Sequence, residues 1–263
     1  MKKILLAVSA LALMAAGCPT APTVSTPETP KGMSAVIEQN VDQNGLKGTF
    51  FVPSKREGKL PALLVMHEWW GLNDYIKNEA RNLADEGYAV FAISLYDGEV
   101  ATTSSRAGEL AGQVRANPAE AERQMKLALN FLERQPEVDA SRMASMGWCF
   151  GGGMSNILVS SGDKRVKASV VYYGTPITDP AHLKNMSQPI LGIWGEDDQS
   201  VKADTVRTFE QALKSQGTPT EFHYYAGAGH AFANPTRGDA YKPEATADAW
   251  TKTLDFLARN LKK

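Results

Sequence analysis

Three residues in the second half of this 263-residue chain are of types that do chemistry together: Cys149, Asp198 and His230. Gly147-Trp148-Cys149-Phe150-Gly151-Gly152 sets glycines two before and two after a nucleophilic side chain. A sharp strand-to-helix turn needs that spacing, because neighbours without side chains let a residue at a strained backbone angle stand clear of the sheet. Serine usually holds the central place; here it is a thiol. A free thiol, with a pKa of about 8.5, is only a few per cent thiolate at neutral pH, so it needs a base beside it to become a nucleophile. The competing reading is a buried structural cysteine next to a Gly-rich bend, since an unpaired Cys packs like a small hydrophobe.

Candidate partners lie downstream, each directly after a strand-like run. Gly195-Glu196-Asp197-Asp198-Gln199-Ser200-Val201 follows Ile190–Trp194, and Ala228-Gly229-His230-Ala231-Phe232 follows Phe222–Tyr225. Asp197 and Asp198 compete for the acid role. The spacing Gly195-x-x-Asp198-x-x-Val201 favours Asp198, and Asp197 suits a turn or cap. Of the four histidines, His223 sits within a strand and His182 in a polar connection. His67 ends a strand and can orient the loop after it, and His230, on a Gly-flanked loop at a strand end, is the base. The order nucleophile, acid, base is that of α/β-hydrolase triads.

The elements needed to hold these residues on one rim are legible from residue 48 onward. Thr49–Val52 is β-prone, and Pro61–Met66 is a continuous apolar run of the kind found in a strand covered on both faces. Asn73 or Asp74 caps a helix to about Glu86 that stops at Gly87. Strands follow at 88–95, 142–146, 168–173, 189–194 and 221–225, with helices at 118–135, 152–161, 201–215 and 243–261. The polar segment 103–117 has no assigned form. Strands alternating with helices predict an α/β fold with a mostly parallel central sheet, helices on both faces, and a site at the carboxyl ends of the strands.

The N-terminus reads differently. Residues 1–17 have a short cationic start and an apolar run too short to span a bilayer, which is the form of a signal peptide. Ala15-Ala16-Gly17-Cys18 resembles a lipoprotein signal with Cys18 as the lipidated residue, although Ala15 stands where such signals usually carry Leu, and simple secretion is the alternative. Residues 18–31, rich in Pro and Thr, form a tether, and 32–263 a single domain. The expected location is the bacterial envelope, with membrane attachment only through the lipidated N-terminus, facing the periplasm or the outside. Lipidation or removal of Cys18 leaves Cys149 as an unpaired thiol, which suits catalysis better than packing in an exported protein. A net charge of −1 and scattered basic residues give no argument for nucleic acid. Neither metal-ligand spacing nor a phosphate-cradling loop calls for a metal or cofactor.

At four places the chain resembles the dienelactone hydrolase family of the α/β-hydrolase superfamily. His67-Glu68-Trp69-Trp70-Gly71 is similar to its H-E-x-x-G loop, Ser94-Leu95-Tyr96 to its P-x-L-Y, Gly147–Gly152 to its cysteine elbow, and Ala228–Phe232 to its A-G-H-x-F. The resemblance spans about 46–261. It implies a carboxylic ester hydrolase, carboxymethylenebutenolidase-like, with a Cys149–His230–Asp198 triad, a thioester intermediate and a small ester or lactone substrate. It further implies an oxyanion hole from the Trp69 and Phe150 amides. Glu68 would be a carboxylate that touches the resting thiol and keeps it quiet until substrate arrives. Family members acting on dienelactone carry an arginine four residues after the histidine, where this chain has Asn234; Arg237, Arg106 and Arg115 are the candidates to substitute. Trp70 and Tyr96 are further candidates for binding substrate, while Trp148 is expected beneath the sheet. A non-catalytic, envelope-tethered binding protein on the same scaffold is the alternative, but such proteins usually lose a triad residue, and all three are present.

Overall fold

The computed structural model describes residues 35–262. The signal peptide, the tether and Cys18 lie outside the described residues. Eight strands form one sheet: β1 (Val36–Gln43), β2 (Leu46–Pro53), β3 (Leu60–Met66), β4 (Ala89–Ile93), β5 (Val138–Trp148), β6 (Val166–Tyr172), β7 (Ile190–Gly195) and β8 (Thr220–Tyr225). Their order is β1-β2-β4-β3-β5-β6-β7-β8. The pairings β1/β2 and β2/β4 are antiparallel, and every pairing from β4 to β8 is parallel. The helices are α1 (Asp74–Asp85), α2 (Ser104–Ala116), α3 (Pro118–Glu133), α4 (Phe150–Ser160), α5 (Pro180–Leu183), α6 (Ala203–Ser215) and α7 (Pro243–Leu261). This is the α/β-hydrolase architecture.

The central strands read as uninterrupted apolar runs because both their faces are covered: every residue of β3 and β4 is buried. A buried Leu or Val there contributes about 2 kcal/mol by leaving water. Because β3 to β8 run parallel, the loops after β3, β4, β5, β6, β7 and β8 all leave from one rim. That geometry brings Glu68, Cys149, Asp198 and His230, each in a segment that follows a parallel strand, to one place.

Two of the longer elements go beyond the sequence reading, as does the one-turn helix α5. The segment 103–117 is a helix, α2, capped by the Thr103 hydroxyl accepting from the Arg106 amide. Only Ala107, Leu110 and Ala111 are buried on it, too thin an apolar stripe to stand out. The strand β1 buries only Val41 and so lacks an apolar pattern. Its signal was the turn instead: Asn44-Gly45 takes φ of 54° and 74°, and Asn-Gly is the preferred pair for the tight turn of a hairpin.

Candidate active site

At the end of β5 the chain turns through Cys149, whose φ of 54° and ψ of −114° lie outside the regions open to ordinary side chains. Such a conformation costs on the order of 1–3 kcal/mol and persists only where the surroundings enforce it. Two contacts do so: the Cys149 amide donates to Tyr172 O at 2.9 Å, and the Gly153 amide donates to Cys149 O at 3.1 Å. The flanking glycines are required by close approach. A Cβ on Gly147 would stand 2.3 Å from Gly151 O, and one on Gly151 would stand 2.2 Å from Met66 O. Packed this tightly, the turn presents Sγ at the mouth of α4. Phe150 is the first residue of α4, so its amide has no intrahelical acceptor and is open to a ligand.

The downstream partners converge on that sulfur. His230 Nε2 lies 2.9 Å from Cys149 Sγ, and His230 Nδ1 lies 2.7 Å from Asp198 Oδ2. Asp198 is itself fixed, since its Oδ1 accepts from the Ser200 and Val201 amides at 2.7 and 2.8 Å. Asp197 is exposed and stays outside this chain of contacts. Burial opposes charge on His230, but the hydrogen bonds to Asp198 and Cys149 outweigh it and push the imidazole up to about 10. The Tyr173 ring packs against His230 at 5.2 Å between centroids.

A cavity of about 360 Å³ opens over the sulfur, lined by Glu68, Trp69, Trp70, Arg115, Phe150, Tyr173 and Arg237 among others. The loop after β3 is tied down by His67. The Leu95 amide donates to His67 Nε2 at 3.1 Å, so Nδ1 carries the hydrogen and donates to Glu68 O at 2.6 Å. Complete burial holds this imidazole neutral, with its pKa lowered to about 4. Glu68 is 2% exposed. Its Oε2 accepts from Asn234 Nδ2 at 2.7 Å, whereas Oε1 is buried without a partner. Burial raises its pKa. Asn234 cannot turn round, because its Oδ1 already accepts from the Thr236 amide and hydroxyl.

Comparison with known proteins fits this geometry. The dienelactone hydrolase family model matches residues 46–261. The chain belongs to that family. The hydrolase is 30% identical over 224 residues to protein usf of Aquifex pyrophilus, covering 84% of this chain and 96% of the relative. Among solved structures it is similar to a dienelactone hydrolase-like promiscuous phosphotriesterase from metagenomic libraries, with a TM-score of 0.80 and 26% identity over 87% of this chain and all of the other. An α/β-hydrolase from a Medee basin deep-sea metagenome shares the fold, at a TM-score of 0.65 and 16% identity, over 88% of this chain and all of the other.

Several residues of the hydrolase take places other than those expected. Arg106 lies outside the cavity: Glu99 and Glu109 hold its guanidinium on the surface, because α2 turns that side chain outward. Tyr96 is buried and donates to Trp69 O at 3.2 Å, so it braces the loop and does not line the cavity. Asn234 holds Glu68 and is 1% exposed. The expected contact between Glu68 and the resting thiol is replaced by two others, Glu68 with Asn234 and Cys149 with His230. Trp148 is buried as expected, against Tyr75 and Tyr172. Arg115 and Arg237 do line the cavity, each stacked on an aromatic ring, Phe150 at 5.4 Å and Trp70 at 5.9 Å. Neither has a carboxylate partner among the described residues. Tyr173, read from the sequence only as the end of a strand and given no place at the site, was findable there: it directly follows β6 on the rim that supplied the other residues. Among the described residues no group of three or more His, Cys, Asp or Glu is placed to hold a metal ion.

Proposed function

We propose that the hydrolase cleaves small carboxylic esters or lactones that carry a negative charge, through a Cys149 thiolate and a thioester intermediate. The observation carrying this is the unbroken run Sγ–Nε2 at 2.9 Å and Nδ1–Oδ2 at 2.7 Å beside a cavity holding two arginines without carboxylate partners. His230, raised to about 10, takes the thiol proton at Nε2 and leaves thiolate and imidazolium as the attacking pair. The thiolate attacks the carbonyl carbon, and the oxygen that gains charge is received by the Trp69 and Phe150 amides, each worth about 3 kcal/mol of barrier by the measure of such donors elsewhere. The carbon–oxygen bond to the leaving group then breaks as Nε2–H gives that oxygen its proton. Water attacks the thioester while Nε2 takes a proton from it. The carbon–sulfur bond breaks, and thiolate and imidazolium return as the acid departs. Asp198 holds Nδ1–H throughout and stabilises the charged ring.

Arg115 and Arg237 supply the preference for an anionic substrate, since planar guanidinium groups without a carboxylate partner pair readily with one from the substrate. The test compares dienelactone, its uncharged ester analogue and 4-nitrophenyl acetate. An activated ester should give a burst and a mass adduct on Cys149 that Cys149→Ala abolishes, and the charged substrate should show the higher kcat/KM. An adduct that survives Cys149→Ala would overturn the mechanism; equal kcat/KM for charged and uncharged substrates would overturn the substrate class alone. We also propose, from the sequence of residues 1–18, that the protein is exported and lipidated at Cys18. Labelled palmitate should enter the wild type and not Cys18→Ser.

A further inference from the structure

A second cavity, of about 240 Å³, lies between α1, the start of α7 and the ends of β5 and β6. It shares no lining residue with the cavity over Cys149. Its walls are aromatic: Tyr75, Trp148, Tyr172, Tyr241 and Trp250. Trp148 is the centre of a cluster, 6.4 Å from the Tyr75 ring and 5.5 Å from the Tyr172 ring. Two of the tyrosines have their hydroxyls committed inside the protein, Tyr75 donating to Ala233 O and Tyr172 bonded to the Thr253 hydroxyl. What they offer the cavity is ring surface.

One lining residue is ionisable in the carboxylate range, Glu79 on α1. Among the described residues it has no ion pair and no hydrogen bond, and Arg81, two residues further along α1, is committed to Glu38 and Asn78. Burial pushes the Glu79 carboxyl up to about 7, as expected of an acid whose surroundings supply no countercharge. The chemistry of the walls narrows the missing partner. An anion would be repelled, and a neutral apolar molecule would leave the carboxylate uncompensated. Beside Glu79 the polar lining is only Asn82, Thr246 and the Tyr241 hydroxyl against five aromatic side chains, which favours a cation without N–H groups over a primary ammonium. A cation without N–H groups is satisfied by ring faces and one carboxylate. The first turn of α7 opposes this with about half a positive charge, but Glu244 stands in that same turn and offsets it.

We propose that this cavity binds a small quaternary ammonium compound, with the cationic head against Trp148, Trp250 and Tyr75 and its charge facing Glu79. At about 240 Å³ the cavity falls below the roughly 300–1,000 Å³ of drug-sized sites, so it takes a head group and not a large molecule.

The experiment titrates the full-length protein with choline chloride and, separately, with 3,3-dimethyl-1-butanol, its neutral isostere, following the indole N–H resonances by NMR. Choline should shift Trp148 and Trp250 saturably and leave Trp69 and Trp70 in place, in Cys149→Ala as well as in the wild type. Glu79→Gln should weaken binding about tenfold or more. Ala247→Trp, on an exposed lining position, should block it while the thermal unfolding midpoint stays near that of the wild type. Binding of the neutral isostere as tight as choline, full affinity in Glu79→Gln, movement of Trp69 and Trp70 alone, or no saturable shift would each overturn the proposal.

Discussion

Replacing Asp198 by Asn tests the proposed triad most sharply, because the surrounding hydrogen bonds dictate what the amide must do. Oδ1 of Asp198 accepts from two backbone amides, Ser200 at 2.7 Å and Val201 at 2.8 Å. In the variant the amide oxygen must take that place, since an NH2 group there would face two N–H donors. The NH2 then points at His230 Nδ1, now 2.7 Å from Oδ2. Nδ1 has to become an acceptor, which moves the ring hydrogen to Nε2, the nitrogen facing Cys149. A neutral imidazole in that tautomer cannot take the thiol proton, and a charged one loses its carboxylate partner. The same tautomer error elsewhere lowers turnover about 10⁴-fold, and a loss of about 10³–10⁴ in kcat is expected here. Ester turnover gives the magnitude. The pH profile of Cys149 alkylation by iodoacetamide gives the cause: near neutral pH the reaction should be slower in Asp198→Asn than in the wild type, because the imidazole that takes the thiol proton has lost its carboxylate. A variant within tenfold of wild-type kcat, with an unshifted alkylation profile, would refute the role given to Asp198.

Three other outcomes follow from the same geometry. Because the structure places Glu68 on Asn234 and not on the sulfur, and burial favours its neutral form, Glu68→Gln should change substrate-free alkylation of Cys149 near pH 7 by less than about threefold; a large rise would show that Glu68 restrains the thiol. His67 is neutral when folded, with a pKa lowered to about 4 from 6.5, while the unfolded chain takes up its proton below about 6.5. Stability from this residue is therefore present above 6.5 and is lost as pH falls toward 4, by about 3 kcal/mol in total; denaturant titrations should show that loss in the wild type and not in His67→Gln. Gly151→Ala would bring a Cβ to 2.2 Å from Met66 O, so it should cost at least about 1–3 kcal/mol and displace α4, read as a lower unfolding midpoint with loss of turnover. Wild-type stability and activity there would mean the elbow is looser than its contacts imply.

Much of the fold and the core of the site were legible in the residues themselves. Buried parallel strands must be apolar along their whole length, so 61–66 stood out; a tight elbow must have glycine at 147 and 151; and three residues after three parallel strands share a rim. The amphipathic helix over 243–261 was legible to the residue, because its apolar face repeats on the sheet's surface. Strands and helices with little buried face, β1 and α2, carried no such pattern.

What only the tertiary structure decided is which polar groups meet. Side-chain pairing depends on where a side chain points, and no spacing rule carries that across 166 positions between Glu68 and Asn234. Hence Arg106 was a plausible carboxylate reader in the sequence but is held by Glu99 on the surface, and Tyr96 turned from the cavity to the backbone of Trp69. The sulfur is positioned by its own strained turn, which glycines announce; its neighbours are positioned by the whole sheet, which they do not.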